Sequence, residues 1–277
     1  MEKVLTLSMS MINTFLRCEK QFLYQYVHGL RDYVHTPKVA LENGTAFHKY
    51  MEYHAKGKDM ELDWDTEMGR VARTFLLHNP LPKNIIAVEE SHEFMLFDDV
   101  KITFTCDLVY KPSKHSITIR DWKTFSKYPS YDIDLDFQGR FYLWAAYKKW
   151  PELAWASFEK IFCRTEEPLI DRGGKKKPWT LEECYPPSAV MVLLKDELIE
   201  DEKQIVASID RIQTLLETNG VYRRMPLSGG GYTDCAHCPT KEMCKQDASG
   251  NLNFDNLQDL VVEPTGRMNI YGRLCEY

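Results

Sequence analysis

Hydrophobic side chains in the first third of the chain recur at intervals of three or four residues, the period of an amphipathic helix. This pattern predicts helices at residues 10–27, 44–56 and 65–78, and the sequence Asn79-Pro80-Leu81-Pro82 ends the third of them. The large apolar residues that share one face of the first helix are Ile12, Phe15, Phe22 and Tyr26. We therefore expect a helical N-terminal region.

From residue 85 onward the apolar positions alternate, which is the period of a strand with one buried face. Strands are predicted at 86–94, 101–110 and 116–124, and a turn at 111–115 joins the last two as a hairpin. A helix at 134–149, strands at 154–165 and 188–194, a helix at 196–217 and a loop-like, cysteine-rich segment at 229–247 follow. This order of elements predicts an α/β or α+β fold.

The composition narrows the class of protein. With 277 residues, 44% hydrophobic residues, 14 Gly and 13 Pro, the chain is typical of a globular protein and unlike collagen or a disordered sequence. A net charge of −6 argues against coating nucleic acid through overall charge and leaves a local basic groove open. No apolar run approaches the ~20 residues of a membrane span, and the first ten residues lack a secretion signal. We therefore expect a cytoplasmic protein without membrane association.

The predicted hairpin carries two acids and a lysine. In strand 101–110 the apolar positions alternate and leave Asp107 on the other face, and in the next strand Asp121 and Lys123 share a face. If the hairpin is symmetric about Lys114, Asp107 lies opposite Asp121, where cross-strand neighbours come within ~4.5 to 5.5 Å. We therefore expect two carboxylates to converge beside an ammonium group.

Two carboxylates at that distance raise each other's pKa unless a cation compensates, and a hard divalent ion is the usual solution. Mg²⁺ or Mn²⁺ held by Asp107 and Asp121 would polarise a phosphodiester, while Lys123 orients the attacking water or stabilises developing charge. The arrangement favours phosphodiester hydrolysis. The alternative is a surface hairpin with an ion pair that only stabilises structure.

Three cysteines lie within one short segment: Cys235, Cys238 and Cys244. A chain without a secretion signal is expected to keep its thiols reduced, so clustered cysteines indicate metal ligands before disulfides. A fourth ligand would complete a tetrahedral zinc site or a four-iron cluster. The candidates for it are Cys18, Cys106, Cys163, Cys184, Cys275 and His237. The spacing alone favours neither metal.

Taken together, these residues resemble the RecB-type nucleases of the PD-(D/E)XK superfamily. The resemblance is to the iron–sulfur members, which include the CRISPR-adaptation nuclease, the AddB-type subunit and viral exonucleases. It covers residues 10 to about 247. Five features occur in the family's order: the helix with Cys18, Gly44-Thr45-Ala46-Phe47-His48, Asp107 with Asp121-Trp122-Lys123, Gln138-Gly139-Arg140-Phe141-Tyr142, and Cys235, Cys238 and Cys244.

The resemblance implies a restriction-endonuclease-like fold, with a mixed central sheet flanked by helices and an iron–sulfur cluster joining the N- and C-terminal segments. It implies a [4Fe–4S] cluster on Cys18, Cys235, Cys238 and Cys244. It also implies that the divalent metal contacts Asp107, Asp121, His48 and the Trp122 carbonyl, and that Lys123, Gln138 and Tyr142 complete the active site. Two departures are visible: the second acid is Asp instead of Glu, and the segment Phe104-Thr105-Cys106 lacks a glycine before the first acid.

The expected function is that of a metal-dependent DNA nuclease. The resemblance implies an exonuclease acting on single-stranded DNA or free ends in recombination, repair, phage DNA processing or CRISPR adaptation. It would work in a bacterial or archaeal cell or a phage-infected host, with a helicase or recombination protein as a separate partner. The competing hypotheses are a scaffold subunit with a nuclease fold and an electron-transfer protein. We expect four segments: a helical region at 1–84, a nuclease core at 85–228, a cysteine loop at 229–250 and a tail at 251–277.

Overall fold

The structure, a computed structural model, describes residues 4–32, 39–127, 132–174, 176–224, 235, 238–250, 252, 262–264 and 270. The strands are β1 (Leu5–Ser8), β2 (Leu30–Asp32), β3 (Ile85–Phe97), β4 (Val100–Ser113), β5 (Ser116–Phe125), β6 (Trp155–Arg164), β7 (Ala189–Leu193) and β8 (Val262–Pro264). The α-helices are α1 (Met9–Arg17), α2 (Glu19–Phe22), α3 (Val39–Ala55), α4 (Glu67–His78), α5 (Phe137–Lys149), α6 (Leu181–Cys184), α7 (Ile199–Thr218) and α8 (Lys241–Ala248).

Within these ranges, six strands form one mixed sheet. Its order is β1-β4-β5-β6-β7, and β3 also pairs with β4. Strands β4 and β5 are antiparallel, β5 and β6 are parallel, and β6 and β7 are antiparallel. A central mixed sheet flanked by helices confirms the fold class predicted from the order of elements. No helix in the described part of the chain has the length and apolar character needed to cross a membrane.

The chain divides into two compact units. The first unit contains Met1–Thr36, Glu93–Thr103 and Glu202–Tyr277, and the second contains Pro37–His92 and Phe104–Asp201. The four-segment division drawn from the sequence stays a prediction, and most of its tail lies outside the described residues.

In the second unit, helices cover both faces of the strands. Helices α3 and α4 bury a large apolar cluster on one face, formed by Phe47, Met51, Val71, Phe75, Trp122, Ile161 and Cys163. Helix α5 packs on the opposite face, where a Cβ added to Gly139 would lie 2.5 Å from the ring of Phe158. Because successive side chains of a strand point to opposite faces, β5 presents Trp122 to the first layer and Asp121 to the second.

In the first unit, the prediction of one continuous helix over residues 10–27 was wrong. Helix α1 ends at Arg17, and Cys18 is extended, with φ −160° and ψ 107°. The chain then resumes as α2 and a π-helical turn at Leu23–Val27. A single extended residue does not change the spacing of the apolar side chains around it, so periodicity did not reveal the break.

The predicted loop at 229–247 was wrong in its last part, because α8 begins at Lys241. Its Met243 is buried in a small apolar cluster with Tyr24 and Leu30, which come from the other end of the sequence. This long-range contact supplies the buried face that the local sequence of a short polar helix does not indicate.

Candidate active site

The hairpin of β4 and β5 forms in the predicted register. Leu108 pairs with Arg120 and Val109 with Ile119, and the same register continued by one residue places Asp107 opposite Asp121. The register shifts only near the turn, between Tyr110 and Ser113. The two acids therefore occupy neighbouring strands, as the alternating pattern indicated.

Asp107 is held by the backbone of the opposite strand. The Trp122 N–H donates a hydrogen bond to its Oδ2 at 2.8 Å, and its Oδ1 lies 3.6 Å from His48 Nδ1. One carboxylate oxygen is thus fixed by the sheet, and the other faces the helix that carries His48.

Asp121 is nearly inaccessible to solvent, with 2% of its surface exposed. Its Oδ1 accepts hydrogen bonds from Lys123 Nζ and Gln138 Nε2, both at 2.9 Å. Its Oδ2 is buried and has no hydrogen-bond partner. A buried carboxylate oxygen without a partner carries a large desolvation cost, which a bound cation could compensate.

His48 approaches the acids from α3. A Cβ added to Gly44, one turn earlier, would lie 3.3 Å from Thr124 Oγ1, so the glycine allows the helix to pack closely against β5. His48 Nε2 lies 2.9 Å from the Trp122 carbonyl oxygen, and its Nδ1 lies 3.1 Å from Glu89 Oε1. Gly44 therefore allows α3 to pack closely against β5, and this close packing brings His48 within contact distance of Trp122 and Glu89.

Glu89 is a site residue that the sequence analysis missed. It lies within β3 at φ +48°, a left-handed conformation that is rare for a non-glycine residue. The burial along β3 shifts phase here, with Ala87 and Val88 both buried and Glu90 and Ser91 both exposed. This irregularity directs the Glu89 carboxylate to His48, and a doubled glutamate inside an alternating strand was the only sequence signal.

The donor atoms suit a divalent cation. Ligand atoms of His48, Glu89 and Asp107 all lie within 4.8 Å of one another. The 2.9 Å separation of His48 Nε2 and the Trp122 oxygen also matches adjacent ligands of an octahedral ion, which stand about 3 Å apart when bonds are ~2.1 Å. The donor types of this group suit Mg²⁺ or Mn²⁺, but Asp121 is not part of it, so the ligand set predicted from the sequence, His48, Asp107, Asp121 and the Trp122 carbonyl, stays a prediction.

The local charges show why a cation is needed. Burial and the neighbouring Asp121 carboxylate raise the pKa of Asp107 to about 7. Burial disfavours a charged His48, but its hydrogen bond to Glu89 and the charge of Asp107 raise the pKa of this imidazole. Burial likewise opposes the charge of Lys123, and the Asp121 carboxylate outweighs it and raises the pKa of the amine. The raised pKa of Asp107 means that this carboxyl keeps its proton up to about pH 7 in the metal-free protein.

Gln138 and Tyr142 lie one turn apart on α5 and both face this site. While the amide of Gln138 bonds Asp121, the Tyr142 hydroxyl donates to the Thr105 carbonyl oxygen at 2.8 Å. Tyr142 is buried, and burial raises the pKa of its phenol. In this arrangement both side chains hold protein groups of β4 and β5, the strands that carry the acids.

The predicted cluster cysteines lie in the first unit. Cys18, Cys235, Cys238 and Cys244 are all half-buried and reduced. Burial raises the pKa of Cys238, and the nearby thiols of Cys18 and Cys244 raise it further, so these three lie near one another. In the described residues, no three of the cysteines come within the 4.8 Å spacing that a single ion requires.

Asp247 holds this region together. Its Oδ2 accepts hydrogen bonds from Tyr24 at 2.9 Å and Lys20 at 2.8 Å, and it also pairs with Arg224. Helix α8 is thereby fastened to the segment that follows Cys18.

Comparison with known proteins identifies the family. The model of the PD-(D/E)XK nuclease superfamily matches residues 6–81 and 68–245 of this chain. No curated protein matches.

Solved structures offer distant likenesses. One is an exonuclease candidate from Eubacterium rectale, at 14% identity and a TM-score of 0.49, covering 82% of this chain and 86% of that one. Another is a phage-related exonuclease from Haemophilus somnus 129PT, at 16% identity and a TM-score of 0.32, covering 78% of this chain and 96% of that one. The family model spans most of the sequence and includes every residue of the acidic site, and the chain therefore belongs to the PD-(D/E)XK nuclease superfamily.

Proposed function

We propose that this protein is a metal-dependent deoxyribonuclease that acts on single strands or free DNA ends. The observation that carries the proposal is the buried, partnerless Oδ2 of Asp121, which lies beside Asp107 and His48 and within reach of a lysine. A site built only for structural stability would not leave a buried carboxylate oxygen unpaired.

A divalent ion bound by His48, Asp107, Asp121 and the Trp122 carbonyl would polarise the scissile phosphate and make a water molecule more acidic. Glu89 would hold the His48 ring through Nδ1, which fixes the orientation of Nε2. The Trp122 N–H keeps the Asp107 carboxylate turned toward the same space. These contacts preorganise the donors before substrate binds.

Lys123 provides the charged group nearest to solvent, since 39% of its side chain is exposed. Its raised pKa keeps the amine protonated at neutral pH, so it acts as a cation and not as a general base. Its Nζ would orient the attacking water or stabilise negative charge on the phosphate oxygens in the transition state. Gln138 would position the Asp121 carboxylate through its hydrogen bond, and Tyr142 would hold β4 near Asp107 through the Thr105 carbonyl.

The test is cleavage of end-labelled single-stranded DNA with Mn²⁺, comparing the wild type with Lys123→Ala and with Lys127→Ala as an exposed control. We expect Lys123→Ala to lower the cleavage rate by about 10²-fold or more and Lys127→Ala to stay close to the wild type. Labels at the 5′ and the 3′ end would separate exonuclease from endonuclease action. Equal, undetectable cleavage by all three proteins would favour a scaffold subunit.

We further propose that Cys18, Cys235, Cys238 and Cys244 hold a [4Fe–4S] cluster. The support is chemical: four reduced cysteines, three of them near one another around the break between α1 and α2. When bound, the cluster would link the segment at Cys18 to α8 and stabilise that unit. A colourless protein containing one zinc ion would contradict this assignment.

The setting of the reaction is also a proposal. A cytoplasmic nuclease of this kind in a bacterial or archaeal cell, or in a phage-infected host, would need DNA opened by another chain. We propose a helicase or recombination protein as that partner, in repair, recombination, phage DNA processing or CRISPR adaptation. Cleavage of duplex DNA that depends on an added helicase would support this role.

A further inference from the structure

A second buried lysine lies beside Asp121. Strands β5 and β6 are parallel, and Asp121 pairs with Lys160 in their register. Paired residues of neighbouring strands point to the same face, and the strands are only ~4.8 Å apart. The Lys160 side chain is therefore long enough to reach the Asp121 carboxylate, and only 5% of the residue is exposed.

Lys160 nevertheless does not bind Asp121. Its ammonium forms an ion pair with Asp136 Oδ2, and both side chains are more than nine-tenths buried, at 7% and 8% exposure. The Asp121 Oδ2 remains without a hydrogen-bond partner, while Lys123 Nζ donates to Oδ1 of the same carboxylate.

Asp136 is fixed at the start of α5. Its Oδ1 accepts a hydrogen bond from the Gly139 N–H at 2.8 Å and caps the helix. Gly139 also packs directly on Phe158, two residues before Lys160 on β6. The carboxylate is therefore held above β6 by the helix cap and the close packing, with its second oxygen turned to Lys160.

From this geometry we infer that Asp136 is a positioning residue that keeps Lys160 away from Asp121 and so reserves Asp121 Oδ2 for the divalent cation. The inference rests on the proposed metal-dependent function. Loss of the Asp136 charge would remove the ion pair that holds the Lys160 ammonium, and the buried Asp121 Oδ2 on the paired strand is an acceptor without a hydrogen-bond partner. An ammonium there would compete directly with the metal.

The test is Mn²⁺ binding to the full chain, measured by electron paramagnetic resonance titration for Asp136→Asn and for the double variant Asp136→Asn/Lys160→Met. Asparagine keeps the helix cap, so the single change removes mainly the charge. We expect Asp136→Asn to weaken Mn²⁺ binding about tenfold and the added Lys160→Met to recover most of that loss. Asp134→Asn, the same change at an exposed position of the preceding turn, is the matched control.

If the Lys160–Asp136 ion pair only stabilises the fold, the Mn²⁺ affinities of the variants should rank differently. The double variant would then bind Mn²⁺ no better than Asp136→Asn, and that result would overturn the inference. Wild-type affinity in Asp136→Asn would overturn it too. Thermal unfolding of each variant without metal shows that the comparison is made on folded protein.

Because the readout is metal binding and not cleavage, the two proposals fail separately. A wild type that binds Mn²⁺ but does not cleave DNA would contradict the nuclease function and leave the role of Asp136 standing. A wild type that cleaves DNA while Asp136→Asn keeps full Mn²⁺ affinity would contradict only the role of Asp136.

Discussion

The acidic site and the cysteine region differ in how far apart their residues lie in the sequence. Asp107 and Asp121 come from adjacent strands of one hairpin, where the local register already places them opposite each other. Cys18 and Cys244 come from opposite ends of the sequence and meet through long-range contacts such as the one between Tyr24 and Asp247. Closing a short hairpin costs little chain entropy, whereas joining distant segments costs more and calls for additional cross-links. The acidic site should therefore form without a bound metal, while the cysteine region should depend on the proposed cluster.

Among the changes considered, Asp107→Asn should have the largest effect on the acidic site. We expect DNA cleavage to fall about a thousandfold, because a neutral amide is a weaker ligand than a carboxylate and does not balance the charge of the metal. The same change removes a buried carboxylate whose pKa is raised to about 7, so the metal-free protein should melt several degrees higher. Cleavage assays and thermal unfolding check the two effects. Cleavage within tenfold of the wild type would contradict the assigned role of Asp107.

Cys18→Ser tests the expected dependence of the cysteine region on a bound cluster. If Cys18 holds the proposed [4Fe–4S] cluster, Cys18→Ser should lose the cluster's visible absorbance and its iron and should melt several degrees lower, because binding of such a cluster is coupled to folding. Iron and sulfide analysis with a visible spectrum makes the measurement. Mn²⁺ affinity should stay near that of the wild type, since no ligand of the acidic site has changed.

Cys184→Ser provides the matched control for that experiment. Cys184 is buried in the second unit and should leave the colour and the iron content intact. If Cys18→Ser retained full iron content, the cluster assignment would be wrong at that residue.

Glu89→Gln tests whether Glu89, which lies outside the motif residues, contributes to metal binding at the acidic site. Because Glu89 orients His48, we expect the Mn²⁺ concentration for half-maximal cleavage to rise about tenfold. Glu90→Gln, the same change at an adjacent exposed residue, should have no effect. An equal rise in the Mn²⁺ requirement of both variants would rule out a specific role for Glu89.

The smallest expected effect is a pH dependence of the stabilisation by metal. Without metal, folded Asp107 binds its proton up to about pH 7, while the unfolded carboxyl has lost it above its ordinary value of 3.8. The folded state thus holds more protons in this window, so stability falls as pH rises from about 4 to 7. His48, whose pKa is also raised, changes stability in the same direction as pH rises through its folded pKa.

A divalent ion offsets the loss above pH 7 and must displace protons below it. Added Mn²⁺ should therefore raise the melting temperature by a few degrees more at pH 7.5 than at pH 5.5. Thermal unfolding at both pH values checks this, and Asp107→Asn should flatten the difference. A larger gain at the lower pH would contradict the sign of the linkage.

Much of the fold and the centre of the site could be predicted from the sequence. Alternation along β4 and β5 is a local property, so the face of Asp107 and the register across the hairpin followed from counting residues. Glu89 was missed because a positive φ at one residue reverses which side chains of a strand point inward, and composition does not reveal it. The break at Cys18 was missed for a similar reason, since one extended residue leaves the helical spacing intact.

What the sequence determined by itself was the set of chemical groups and the pairing of neighbouring strands, because both depend on residue type and on contacts close along the chain. Only the tertiary structure decided which buried oxygen stays free, since the Oδ2 of Asp121 depends on Gln138 from α5 and on Lys160 from β6. Those contacts arise when a helix and a strand from later in the sequence pack against β5, and such packing is a property of the whole fold.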